Sequence, residues 1–244
     1  MKIAVILPAA GLGTRMGRGS AVQTGTSRKQ FMLLEGAPIL VHTVRKFAAS
    51  DRVSEIVVAV REDDIGWVEA LLEGEFPRER VRVVAGGNSR QQSVQNALGT
   101  LAPDTALVAV HDAVRPFIDL ETIHRVFDEA AESGAAIVGV PVVDTVKQVN
   151  RGTGKAHIRA TLPREKLVLA QTPQVFHYDL LTRAFQSACA DGFIGTDESS
   201  LVERLDVEVT VVPGSDRNIK ITKPGDMVLA HAFLHDDLAR ESSA

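Results

Sequence analysis

The chain has 244 residues, 45% of them hydrophobic, with 27 Lys and Arg against 31 Asp and Glu and a formal net charge of −4. Such a chain can bury a sizeable core, in one large α/β domain or two small ones, and the charge argues against bulk nucleic-acid affinity without excluding a local basic pocket. The single cysteine, Cys189, rules out an intrachain disulfide or a cysteine-based metal site, and no apolar run approaches the roughly 18 residues of a membrane span.

Residues 2–7, K-I-A-V-I-L, form a short apolar run of the kind that makes a buried parallel strand. The N-terminus enters that strand without a signal peptide, so the expected location is the cytoplasm. The run breaks at Pro8 into A-A-G-L-G-T-R-M-G, then a polar stretch ending in Arg28, Lys29 and Gln30. Gly11, Gly13 and Gly17 carry no Cβ, which lets backbone N–H groups approach an anion, and Arg15 and Lys29 add charge that a polyphosphate would neutralise. The dinucleotide fingerprint is not met, because Met16 holds the place of its third glycine. The Walker pattern fails at Arg18, which follows Gly17. On these residues alone, an anion-binding loop and a plain surface turn are equal readings.

Residues 39–49 carry apolar side chains at helical spacing (Leu40, Val44, Phe47, Ala48), with Pro38 suited to the first turn. Residues 54–60 read as a second strand, 63–72 as a helix and 80–84 as a third strand, ended by Gly86 and Gly87. A helix over 89–101 places Val94, Ala97, Leu98 and Leu101 on one face. A fourth strand, 105–110, runs into His111, Asp112 and Ala113, and is followed by a helix at 120–132 and a fifth strand at 135–140. The alternation predicts a mostly parallel sheet covered by helices on both faces, with ligands bound beyond the carboxyl ends of the strands. Three polar clusters fall there: the first loop, residues 86–93 and residues 111–115.

The alternation stops at Pro141. Short strands at 146–149 and 156–160 around R-G-T-G-K predict a protruding hairpin, which cannot bury a core of its own and should rest on another subunit. Helices are expected at 178–190, with Cys189 in the core, and at 199–205, capped by Thr196 or Asp197. Late strands at 207–212 and 218–222 and a helix at 225–238 complete the reading.

The motifs P-A-A-G-L-G-T-R-M, R-K-Q-F, G-G-N-S-R-Q-Q-S-V, H-D-A-V-R-P, P-V-V-D-T-V-K, T-P-Q-V-F, G-T-D-E-S-S and N-I-K-I-T occur in this order. In order and spacing the chain resembles the 2-C-methyl-D-erythritol 4-phosphate cytidylyltransferases of the non-mevalonate isoprenoid pathway, over nearly its whole length. The sister ribitol 5-phosphate cytidylyltransferases share the pattern, and a non-catalytic nucleotide-binding module is a third reading. The resemblance implies one Rossmann-like domain over residues 1–244, with a dimerisation arm at about 142–166. It also implies CTP and a small alcohol phosphate as substrates, Mg²⁺ as cofactor, a homodimer, and no nucleic-acid or membrane partner.

By the same resemblance Arg15, Lys29 and Lys220 are the catalytic cations, and Gly11 and Gly13 offer N–H groups to the phosphates. Ala9, Ala10, Gly87, Asn88 and Ser93 match positions that read cytosine, with Arg90 in the same site. Arg115, Thr145, Arg164, Thr172 and Thr196 match positions around the alcohol phosphate, Thr145 and Arg164 reaching a second subunit from the arm. Asp112 closes a strand, where a carboxylate can meet Mg²⁺ or a substrate hydroxyl, or can cap a helix. His111 is read as structural. Two departures stand out: the stretch before Lys29 is long, with Arg28 where proline is common, and Asn88 replaces an acidic residue.

Overall fold

The computed structural model describes residues 1–11, 28–151 and 154–241. Gly13 and Arg15 of the first loop lie outside the described residues, as do residues 152–153 of the R-G-T-G-K turn. The chain opens with β1 (Ile3–Pro8), then a small hairpin of β2 (Leu33–Leu34) and β3 (Ala37–Pro38), turned by Glu35 at φ 47° and Gly36 at φ 84°. There follow α1 (Ile39–Ala48), β4 (Val53–Val60), α2 (Ile65–Glu73), β5 (Val81–Ala85), α3 (Arg90–Leu98), β6 (Leu107–Val110), α4 (Leu120–Ser133) and β7 (Ala135–Pro141). The second part comprises the arm strands β8 (Lys147–Arg151) and β9 (Ala156–Thr161), then β10 (Val168–His177), α5 (Tyr178–Ala190), α6 (Ser199–Glu203), β11 (Thr210–Pro213) and α7 (Pro224–Glu241).

A seven-stranded sheet runs in the order β11-β7-β10-β6-β1-β4-β5. β1 pairs in parallel with β4 and β6, β4 with β5, and β7 with β11, while β10 is antiparallel to both its neighbours. Side chains of a strand alternate between faces, and β1 shows the consequence. Ile3, Val5 and Leu7 join one core cluster with Phe47 and Phe127, whereas Ala4 and Ile6 join another with Val94, Phe176 and Phe185. Burial on both faces is why the strand is apolar throughout. Local caps set the helices. The Ser89 hydroxyl accepts from the Gln92 N–H at 3.0 Å to start α3, and Asp119 accepts from the Thr122 N–H at 2.6 Å to start α4. Gly134, at φ 87°, ends α4 in the left-handed conformation.

From β1 the chain moves outward through α1 to β4 and β5, then crosses back through α3 to β6 on the other side of β1. The strand order therefore reverses beside β1, and a crevice opens at the carboxyl ends of β1, β4, β5 and β6.

Four expectations need correction. Residues 168–177, not expected as an element, form a central strand. Residues 218–222 are irregular rather than a strand. The Ile221 N–H does bond to Val114 O at 3.0 Å, but no ladder forms there, and the segment is held instead by the buried Asn218. The helix at 199 stops at Glu203, and Asp197 takes the capping role, accepting from the Ser200 N–H at 3.1 Å. Cys189 is exposed, on the outer face of α5.

Candidate active site

The crevice holds a cavity of about 850 Å³. Its walls come from residues 8–11 after β1, Lys29 and Gln30, residues 61–63 after β4, residues 86–90 after β5, and residues 112–114 after β6, with Lys220 entering from the irregular segment. The two glycines after β5 let this loop pack closely against the end of β1 and the first turn of α3. A Cβ on Gly86 would stand 2.8 Å from the Cβ of Ala10, 3.0 Å from the Ser93 hydroxyl and 3.1 Å from Val60 O. Ser93 is itself buried. Its hydroxyl accepts from the Gly87 N–H at 3.0 Å and donates to Ser89 O at 2.8 Å, which holds the loop against the first turn of α3. The Ser93 hydroxyl is thus oriented by backbone groups of the loop and the helix start.

Gln92 and Asn96 also line the cavity and were not singled out from the sequence. The signal was there: Ser89, Gln92, Ser93 and Asn96 share one polar helix face, opposite the apolar stripe of Val94, Ala97 and Leu98. The Gln92 side chain accepts from the Asn88 N–H at 2.9 Å, and Asn96 donates to Gly86 O at 3.1 Å, so both shape the loop after β5.

At the floor, three cations converge on one buried carboxylate. Asp112 Oδ1 accepts from Arg90 Nε at 3.3 Å, and Oδ2 meets Arg115 Nε at 3.2 Å and Lys220 Nζ at 2.9 Å. Burial pushes the Asp112 carboxyl up, but Arg90, Lys220 and Arg115 outweigh it and hold the group well below the usual carboxylate range. Arg90 is shared: its Nη1 donates at 2.7 Å to Glu198, a carboxylate only 1% exposed. Burial raises the Glu198 carboxyl above its ordinary value, with Arg90 pulling the other way. Glu198 is held in place because its own N–H and that of Ser199 both donate to Gln174 Oε1 at 3.0 Å. Nothing in the sequence marked Glu198 as a partner of Arg90, since they are 108 positions apart.

The structure brings together Ala9, Ala10, Gly11, Lys29, Gly87, Asn88, Arg90, Ser93, Asp112 and Lys220 around the cavity. Arg115 and Thr172 stand behind it. Arg115 bonds Asp112 and also Asn218 O at 2.7 Å, and the buried Thr172 hydroxyl accepts from the Asp112 N–H at 3.0 Å. Asp112 therefore caps no helix; its carboxylate serves the cation cluster. Thr145, Arg164 and Thr196 are exposed and do not line the cavity among the described residues. Arg164 lies at the base of the arm, its Nη1 donating to Val143 O at 2.5 Å.

His111 is fully buried between Arg115 O, 3.0 Å from its Nε2, and the Thr172 hydroxyl, 3.1 Å from its Nδ1, and burial pulls its pKa down to about 4. It is structural, as expected, and its shift has a consequence for stability. Between the ordinary histidine value of 6.5 and about 4, the unfolded chain takes up a proton that the native state refuses, so stability falls as pH drops through that window. The total loss is roughly 3 kcal/mol. In denaturant titrations at about pH 7 and 4.5, His111→Asn is expected to be less stable at the higher pH but to lose less on acidification. Equal losses would remove His111 as the source.

A crevice beside β1, the cluster of Arg90, Arg115 and Lys220 on Asp112 at its floor, and no nucleophile–base pair lining it among the described residues suit a nucleotidyltransferase on an α/β sheet. The model of the 2-C-methyl-D-erythritol 4-phosphate cytidylyltransferase family matches residues 3–236, and the chain belongs to that family. A relative of that name from Solibacter usitatus is 75% identical over 242 residues, covering 99% of each chain. Another from Acidobacterium capsulatum is 55% identical, covering 98% of this chain and 100% of its own. Among solved structures, 4-diphosphocytidyl-2C-methyl-D-erythritol synthase from Anaerococcus prevotii superposes with a TM-score of 0.81 at 29% identity, covering 96% of each chain. The cytidylyltransferase from Thermus thermophilus gives 0.74 at 32% identity, covering 96% of this chain and 98% of that one.

Proposed function

We propose that this enzyme transfers the cytidylyl group of CTP to 2-C-methyl-D-erythritol 4-phosphate, forming 4-diphosphocytidyl-2-C-methyl-D-erythritol and pyrophosphate. The observation that carries the reading is the cation cluster on Asp112 at the floor of a crevice walled by Ala9, Ala10, Gly11 and Gly87. The attacking oxygen of a phosphate monoester is already anionic, so the reaction needs no strong base. It needs two anions held together and the charge added at the α-phosphorus neutralised. The attacking oxygen forms its bond to the α-phosphorus as the bond to the β-phosphate oxygen breaks and pyrophosphate leaves. Lys29 and Lys220 line the cavity where they can neutralise that charge. Arg15 belongs to the same assignment. Ala9, Ala10, Gly87, Asn88 and Ser93 read the base, while Arg115, Thr172 and Thr196 serve the acceptor side.

Mg²⁺ is part of the proposal. Among the described residues no cluster of three His, Cys, Asp or Glu could hold a metal; Asp112, whose oxygens meet Arg90, Arg115 and Lys220, would share its carboxylate with the ion, and the triphosphate would supply most of the oxygens. That fits a cation that dehydrates reluctantly and is carried in on its nucleotide. Bound there, it would supply Lewis-acid polarisation of the phosphoryl oxygens.

The second subunit is also proposed, with the arm as its point of contact. None of the described residues in 142–167 belongs to a buried cluster, and Val143 and Ile158 are 76% and 66% exposed. A hairpin that buries no core is marginal in water unless something covers it. No helix among the described residues is long and apolar enough to cross a membrane. The cytoplasm is the proposed location, because nucleoside triphosphates are made there.

The deciding assay is pyrophosphate release from CTP with methylerythritol phosphate, with ribitol 5-phosphate and with neither. Turnover is expected with the first alone. Across nucleotides, CTP should be far preferred over ATP and GTP if Ala9, Ala10, Gly87, Asn88 and Ser93 form a base pocket of backbone groups and small side chains, with UTP the nearest competitor. Equal turnover of ATP and CTP would remove this pocket as the base site.

A further inference from the structure

Lys29 enters the cavity from the segment R-K-Q-F, and each of its neighbours is tied to a different wall. On one side Gln30, 2% exposed, donates through Nε2 to Ala9 O at 2.5 Å and Gly11 O at 3.1 Å, fastening the segment to the end of β1. On the other side Arg28 reaches the turn after β4. Its guanidinium grips the Asp64 carboxylate with both terminal nitrogens, Nη1 on Oδ2 and Nη2 on Oδ1, the latter at 2.7 Å. The same guanidinium lies 5.2 Å from the Phe31 ring centroid, and Phe31 meets Trp67 of α2 edge-on at 4.6 Å.

Asp64 is placed unusually for what it does. It stands at the N-cap of α2, where an aspartate ordinarily accepts a hydrogen bond from the helix's first free N–H groups, yet its side chain makes no such bond. The carboxylate is turned to Arg28 instead and is 7% exposed. Residues 61–63 before it line the cavity; Asp64 and Arg28 do not. Among the described residues the pair thus stands outside the cavity, and the cation beside Arg28 that does line it is Lys29.

We propose that Asp64 is a positioning residue: by fixing Arg28 in a two-point grip, it sets the direction from which Lys29 enters the cavity. A lysine is a flexible point charge, and a fixed backbone at its root removes part of the freedom it would lose on meeting a phosphate. A two-point guanidinium–carboxylate pair fixes orientation as well as distance, which a single ion pair does not. An ångström of misplacement at a reacting centre can cost on the order of a hundredfold in rate. The proposal rests on the role given to Lys29 above.

The test is a double-mutant cycle on the full-length protein with CTP and methylerythritol phosphate: Asp64→Ala, Lys29→Ala and both together, with kcat, KM and melting temperature measured for each. Asp64→Ala is expected to lower kcat by about tenfold or more, with a smaller change in the KM for CTP. In the Lys29→Ala background the same change should have no further effect on kcat. Arg28→Ala removes the same grip from the more exposed partner, and should reproduce the loss should Asp64→Ala fail to fold. Glu75→Ala is the control: it breaks a two-point pair with Arg45, at 2.5 and 2.8 Å, and should leave kcat unchanged. If Lys29→Ala is crippled but Asp64→Ala and Arg28→Ala turn over like wild type, the positioning role is overturned and Lys29 keeps its own. An equal loss from Asp64→Ala with and without Lys29 also overturns it. Full activity of Lys29→Ala would overturn the reading of Lys29, and the proposal with it.

Discussion

Replacing Lys220 with alanine is expected to lower kcat by roughly 100- to 1000-fold, the scale of losing one preorganised donor to transition-state charge. Its melting temperature should stay close to that of wild type. The reason lies in how the residue is mounted. Lys220 is flanked by Ile221, which is fully buried, and by Ile219, which packs against the same cluster as Phe117 and Ala230. The segment is pinned independently by Asn218, whose Nδ2 donates to Gln171 Oε1 at 3.1 Å and to Thr172 O at 2.9 Å. Truncating the lysine touches none of these bonds. Nor does it strand Asp112, which keeps Arg90 and Arg115. The charge in the cavity is lost, with one of the three contacts to Asp112. Kinetics on purified variant, beside its thermal melt, decide the matter. A large drop in melting temperature with normal turnover per folded molecule would make Lys220 a structural residue.

The second large effect concerns Arg164. This residue is exposed at the base of the arm and does not line the cavity that holds Lys29. In the dimer proposed above, a site completed by Arg164 draws it from the second copy of the chain. Lys29→Ala and Arg164→Met should each be nearly inactive as pure proteins. When the two are unfolded, mixed and refolded together, random pairing makes half of the dimers mixed. In each mixed dimer one site collects both defects and the other collects neither. About a quarter of wild-type activity should return. If Arg164 serves its own chain, every site keeps one defect and nothing returns. Absence of recovery, with mixed dimers verified by mass, would rule out the shared site.

These expectations mix what can be read from residues with what had to be seen in three dimensions, and particular elements show where the line falls. Strand β10 was missed because Q-T-P-Q places a proline in the middle of the run, and proline is ordinarily excluded from central strands. Here the pairing of β10 with β7 shifts register between Ala170 and Gln174, so the proline falls where the ladder is interrupted. The opposite error occurred at residues 218–222, where I-K-I-T alternates like a strand. The alternation is real, since Ile221 is buried and Lys220 faces the cavity, but it follows from one anchored turn rather than from a ladder. Cys189 is expected in the core because it sits inside a helical pattern; the buried stripe of α5 is set by Leu181, Ala184, Phe185 and Ala188, and the next residue turns outward.

The sequence by itself determined the alternating strands and helices through residue 140 and the crevice at the strand ends with its three polar clusters. Those features are local: they depend on side-chain period, on turn chemistry and on hydrogen bonds between near neighbours. The tertiary structure alone decided that β10 slots between β6 and β7, that Arg90 is shared by Asp112 and Glu198, that Asp112 gathers three cations instead of capping a helix, and that Asp64 leaves its own helix to hold Arg28. Each of these joins residues distant along the chain. A charged side chain has no periodic signature, and its partner is selected by which strand ends the folded sheet brings together.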